Sequence, residues 1–277
     1  MFWPFCAKSV HRRICSPMAI GISRISALQR NSDRQAKPWG LGVTALFAVI
    51  IVSMVVAVQL ATESVLLHFQ PVDADITGAG FFGLLLAVST LVAAPVGIAL
   101  TVIAAYLRRG ITIEQYLALR WPRVETLVHW FGYLVVFIVL FHAVEYLAGR
   151  QFVTDFELRT FRTAYSVPLL LAAVVVAGPC FEELFFRGFV LGGIAASRLG
   201  VVGALLSTSA LWTIMHAAQY APPELLLVFL GGVLLGYARW KTRSIYVSIG
   251  LHALWNLVSA VETMIYLAGH GAVSATA

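Results

Sequence analysis

Six polar side chains in the C-terminal half of the sequence have the types and spacing to do chemistry. Glu182, Glu183 and Arg187 interrupt an apolar run from Val167 to Ile194 that is long enough to cross a bilayer. Ionisable groups inside such a run are expensive to place, which makes them a functional hypothesis by default. His216 closes the segment Leu-Trp-Thr-Ile-Met-His, and His252 and Asn256 stand four residues apart in Leu-His-Ala-Leu-Trp-Asn. Residues four apart share a helix face, so His252 and Asn256 project together and Glu183 pairs with Arg187, acid first. Glu182 lies about 100° round the helix and is left without a partner on its own element. A carboxylate so placed, facing one water with His216, can activate it for attack on a carbonyl. His252 and Asn256 can then donate to the developing oxyanion. The same residue types also suit zinc, with Glu182, His216 and His252 as ligands, and dispersed ligands of this kind carry no spacing signature.

Each of these residues has a plainer reading. A single intramembrane His, Asn or Glu often only links helices by hydrogen bonds. Three clusters on three different helices are harder to explain in that way. Cys180, beside the acidic pair, is a candidate thiol nucleophile but reads better as a small core residue. With Cys6 and Cys15 it makes three scattered cysteines, too few for a disulfide framework or a Cys-based zinc site. His129, the i,i+3 pair His142 and Glu145, and Glu262 are assigned no chemistry. Gly232 and Gly236 form a Gly-x-x-x-Gly that marks close helix packing.

The elements that must position these groups are membrane helices. Of the 277 residues, 60% are hydrophobic and only 12% are charged, and the mean hydropathy is +0.87. That leaves too little polar surface for a soluble globule. Apolar segments of about 20 residues match the helical span of a hydrocarbon core, and the short alternating strands of an outer-membrane barrel are absent. The fold expected is an all-α polytopic bundle in a bacterial inner or cell membrane. Its spans fall near Trp39–Thr62, Ala79–Leu107, Leu127–Ala148, Ala164–Ile194, Leu199–Ala218, Glu224–Ala238 and Ser244–Ala268. Gly178 and Pro179 could break the fourth run and create an eighth helix, because proline removes a helix hydrogen bond.

Residues 1–38 form a basic tail expected on the cytoplasmic side, and 39–277 the membrane domain, with a peptidase core near 164–268. With the N-terminus inside, 16 of the 19 Lys and Arg fall on one side and Arg150, Arg159 and Arg162 on the other, as the positive-inside rule requires. The formal charge of +6 therefore reads as a topology signal, and no interleaved aromatic and basic surface suggests nucleic acid. The partners expected are the bilayer and a membrane-associated peptide or protein.

At the three clusters the sequence resembles the CAAX prenyl-protease and bacteriocin-processing (CPBP) family, intramembrane peptidases similar to type II CAAX endopeptidases. The pattern of that family is Glu-Glu-x-x-x-Arg, then Phe-x-x-x-His, then His-x-x-x-Asn or Asp. Here it is met by Glu182, Glu183 and Arg187, by His216, and by His252 and Asn256, with Trp212 where Phe is usual. The match covers about Leu169 to Ala260. The resemblance implies that Glu182 and His216 activate water, that His252 and Asn256 stabilise the oxyanion, and that Glu183 and Arg187 support them. It implies an endopeptidase without a resident cofactor, with zinc as the alternative, since the family was long described as metalloproteases. Hydrolysis is expected near the cytoplasmic face. A non-catalytic immunity or scaffold factor and a proton-coupled transporter are the rival functions.

Overall fold

The computed structural model describes residues 37–69 and 79–274, and side chains as far as residue 270. The basic tail, with Cys6 and Cys15, lies outside the described residues but for its last two positions. From Lys37 the chain forms one helical unit without strands among the described residues. Its long helices are α1 (Leu41–His68) and α2 (Phe82–Tyr106), the latter entered through a 3₁₀ turn at Ala79–Phe81. A one-turn helix, α3 (Ile113–Leu117), leads into α4 (Val124–Leu147), and an eight-residue helix, α5 (Asp155–Arg162), precedes α6 (Val167–Ala195). The bundle is completed by α7 (Gly200–Met215), α8 (Pro222–Thr242) and α9 (Ile245–Ser274).

Six of these helices are long and apolar enough to cross a membrane, and the chain is an integral membrane protein. The fifth expected span, α7, has only 16 residues, about 24 Å at the helical rise. It stops at His216, short of the 20 residues expected there. Large apolar side chains such as Leu60, Val139, Leu140, Val202 and Ile265 point outward with more than half of their surface exposed. In water such a surface would be a liability; against lipid it is the bundle's exterior.

The two short helices escape a search for apolar runs and are set by local chemistry. Thr112 with Gln115, and Thr154 with Glu157, form reciprocal capping boxes at the starts of α3 and α5. In α5 the acids Asp155 and Glu157 sit in the first turn and Arg159 and Arg162 in the last, matching the helix dipole.

Helix α6 is the centre of the bundle. Half of its most apolar window is buried, against 11–39% for the other five long helices. Phe181, Phe185, Phe186 and Phe189 belong to one core, in which Phe189 meets Phe47 of α1 and Tyr116 of α3 and Phe181 meets Gly97 of α2. Gly97 of α2 lets the Phe181 ring approach so closely that a Cβ there would come within 2.3 Å of it. The run does not split at Gly178-Pro179, so the eighth helix does not arise. A widened π turn over Ala172–Ala177 lies directly before Gly178 and Pro179. It shifts the hydrogen-bond register where the proline lacks its N–H, and the helix continues.

Connections tie the helix ends into two opposite faces. At one, Trp39 Nε1 donates to Ala104 O (2.8 Å), Ile245 N to Ala118 O (3.0 Å) and Ser244 Oγ to Arg120 O (2.5 Å). At the other, Leu84 N donates to Thr163 O (3.1 Å) and Arg150 pairs with Glu224.

Candidate active site

Glu183 and Arg187 face the interior of the bundle from α6 with side chains wholly shielded from solvent. A second π turn, Glu183–Val190, carries both; such widened turns recur at functional sites. Arg187 Nη1 donates to Glu183 Oε1 at 2.8 Å, and Nη2 reaches Gly232 O on α8 at 3.3 Å. The expected pair is therefore present, but Glu183 has more to do. His252 Nδ1 donates to its Oε1 at 2.9 Å and Ser248 Oγ donates to its Oε2. Because a carboxylate only accepts, the proton belongs to His252 Nδ1, and Nε2 is the nitrogen left to work. Sequence reasoning treated Glu183 as a partner for Arg187 alone. Ser248, His252 and Asn256 recur every four residues on α9, so the signal for Ser248 was legible.

Trp212, buried on α7, is the hub of the site. Its Nε1 donates to Glu182 Oε2 at 2.5 Å, its ring lies 4.6 Å from the Arg187 guanidinium, and its edges meet His216 and His252 at centroid distances of 4.9 and 5.3 Å. Glu182 thus has a partner after all, supplied by the neighbouring helix, and Trp in place of the usual Phe supplies the donor. Gly232 leaves room for it, since a Cβ there would lie 3.1 Å from both Trp212 and Ser209. The expected close approach at the Gly-x-x-x-Gly is the contact between α7 and α8, where Gly236 faces Leu205.

His216 closes α7, its Nδ1 donating to Trp212 O at 2.8 Å, which again leaves Nε2 free. Asn256 Nδ2 donates to Val174 O at 2.7 Å, a carbonyl within the first π turn. One of its amide hydrogens is committed there and the other remains.

Glu182, His216, His252 and Asn256 all line a single cavity of about 370 Å³, with Trp212 and Tyr220. Tyr220 stacks parallel to His216 at 6.1 Å. Burial, reinforced by the charges of Glu157 and Glu182, raises its phenol above the ordinary range, so it stays a hydroxyl donor. Glu145, Glu157, Glu224 and Glu262 line the same cavity and, among the described residues, no Lys or Arg does. His142 and Glu145, read as an i,i+3 pair, do not pair. His142 meets Glu262 at 3.5 Å and Glu145 meets Arg150 at 2.9 Å. Glu157 caps α5 and accepts from Ser259 of α9; its capping role is visible in sequence and its reach into the cavity is not. Cys180 is partly buried and does not line the cavity.

Two imidazole Nε2 atoms and a carboxylate are chemically suited to zinc. Among the described residues, however, no three His, Cys, Asp or Glu side chains converge closely enough to hold a metal ion.

Residues 164–258 match the family model described as Rce1-like, type II CAAX prenyl endopeptidase. The matched segment, about a third of the chain, contains all six polar residues and agrees with the resemblance seen in sequence. No curated protein and no solved structure matches the chain.

Proposed function

We propose that the protein is an intramembrane endopeptidase that hydrolyses a peptide bond of a membrane-associated polypeptide with a water activated by Glu182 and His216. The observation that carries this reading is the convergence of Glu182, His216, His252 and Asn256 on one cavity inside a bundle whose matched domain is Rce1-like.

One oxygen of Glu182 accepts from the Trp212 indole, and the residue lines the cavity in which the attacking water is to be held. Glu182 takes the water proton as the oxygen attacks the carbonyl carbon, and His216 Nε2 accepts a hydrogen bond from the same water and fixes its lone pair. His252, held through Nδ1–H on Glu183, turns Nε2 to the carbonyl oxygen and donates to the oxyanion when that nitrogen also carries a proton. The free amide hydrogen of Asn256 is the second oxyanion donor. Proton transfer from Glu182 to the departing amine completes the hydrolysis.

The test compares protein termini in membranes containing wild type, Glu182→Gln and His216→Ala. New termini are expected with wild type alone. Termini equally abundant in all three, with the variants present at wild-type level, would refute the reading; substrate uptake by reconstituted vesicles without hydrolysis would replace it with transport.

A further inference from the structure

The cavity has a direction. Glu182 lies close to the midpoint of the 29-residue α6, and the cavity walls run from its level towards one end of the bundle only. The lining residues include Gln151, Thr154, Gln219 and Glu224, from the connections and helix starts at the end where α5 lies. None comes from the opposite end, where residues 107–123, 196–199 and 242–244 make the connections. Hydrolysis near the cytoplasmic face, expected from sequence, required the cavity to open at that opposite end.

Charge separates the two ends. Of the 13 described Lys and Arg residues, nine, from Lys37 and Arg108 to Lys241 and Arg243, stand at the end without the cavity. Three, Arg150, Arg159 and Arg162, stand at the cavity's end, and Arg187 is buried between them. Short cytoplasmic connections are the ones enriched in Lys and Arg. Resting on the peptidase reading, we propose that the cavity opens to the non-cytoplasmic side of the membrane, and that the substrates are polypeptides presenting their scissile bond from that side: exported chains or the outer ends of membrane anchors. Prenylated C-termini displayed in the cytoplasm do not reach a mouth so placed.

Sidedness is measured without any assay of cleavage, so its failure is distinct from failure of the peptidase reading. In a chain with Cys6, Cys15 and Cys180 replaced by Ser, single cysteines are introduced as Gln151→Cys at the mouth and Arg198→Cys at the far end, both exposed positions. Intact cells are treated with a membrane-impermeant maleimide. Labelling of Gln151→Cys in intact cells, with Arg198→Cys labelled only after permeabilisation, is expected; the reverse pattern overturns the proposal. Because the cysteine-free chain can fail to fold, a second measurement fuses alkaline phosphatase after Ala277 of the unmodified chain, beyond the end of α9 that lies on the mouth's side. An active phosphatase supports the proposal and an inactive one, with the fusion present at normal level, overturns it.

Discussion

Replacing Glu183 with Gln removes one negative charge from a place with no solvent to compensate it. The side chain that suffers most is Arg187: among the described residues Glu183 is its one ion-pair partner, its Nε has no hydrogen-bond partner, and it otherwise meets the Gly232 carbonyl and the Trp212 and Phe186 rings. Breaking a buried pair on one side costs about 3–5 kcal/mol because it leaves an uncompensated charge. Both side chains are wholly buried, so no solvent screening reduces that figure. Reversible unfolding in mixed micelles, followed by the helical signal, measures the loss for Glu183→Gln, Arg187→Met and the double variant. The double variant removes both charges, so it should cost about 2 kcal/mol less than the sum of the single variants, a coupling within the range of directly paired residues. A Glu183→Gln loss below about 1 kcal/mol, the scale of an exposed ion pair, or strict additivity, would refute the assignment of Glu183 as the counter-charge.

Trp212→Phe keeps the ring against Arg187 and His252 but deletes the donor to Glu182, and should lower kcat/KM by about tenfold, the low end for a hydrogen bond to a charged group; an unchanged value would show that the indole N–H does not hold the base. Burial pushes the Tyr116 phenol, on α3 outside the long spans, up to about 12. The folded state therefore keeps a proton that the unfolded state has lost. Stability is intact below pH about 10 and falls by about 1.4 kcal/mol per pH unit as pH rises towards 12. In unfolding titrations Tyr116→Phe should show a shallower alkaline loss than wild type, and identical slopes would contradict this. Phenanthroline, followed by metal analysis of the purified protein, should leave cleavage unchanged; activity lost to the chelator and restored by zinc would overturn direct water activation.

The class of fold was legible because apolar runs of about 20 residues have few other uses. The three ordered polar clusters within them were equally legible as candidates, and Glu182, His216, His252 and Asn256 do line one cavity. What sequence could not supply was contact between helices. The Trp212 bond to Glu182 spans 30 residues and the His252 bond to Glu183 spans 69, so each depends on how α6, α7 and α9 pack. Glu157 was hidden for a related reason: it belongs to an eight-residue amphipathic helix invisible to a search for long apolar segments. Pro179 misled in the direction of a break because a π turn beside it is not encoded by a residue type. The cavity's direction also needed the structure, since positive-inside counting orients the helices but not the space between them.

On the proposed mechanism Glu182 is the base that takes the proton from water. The most direct test of that role is kcat for a cleaved peptide, taken from the terminus comparison, with purified wild type and Glu182→Gln at matched helical content. Loss of an acting general base should lower kcat by about 10²–10⁴-fold with KM little changed. A Glu182→Gln enzyme retaining wild-type kcat would contradict the assignment and move the chemistry to another group in the cavity.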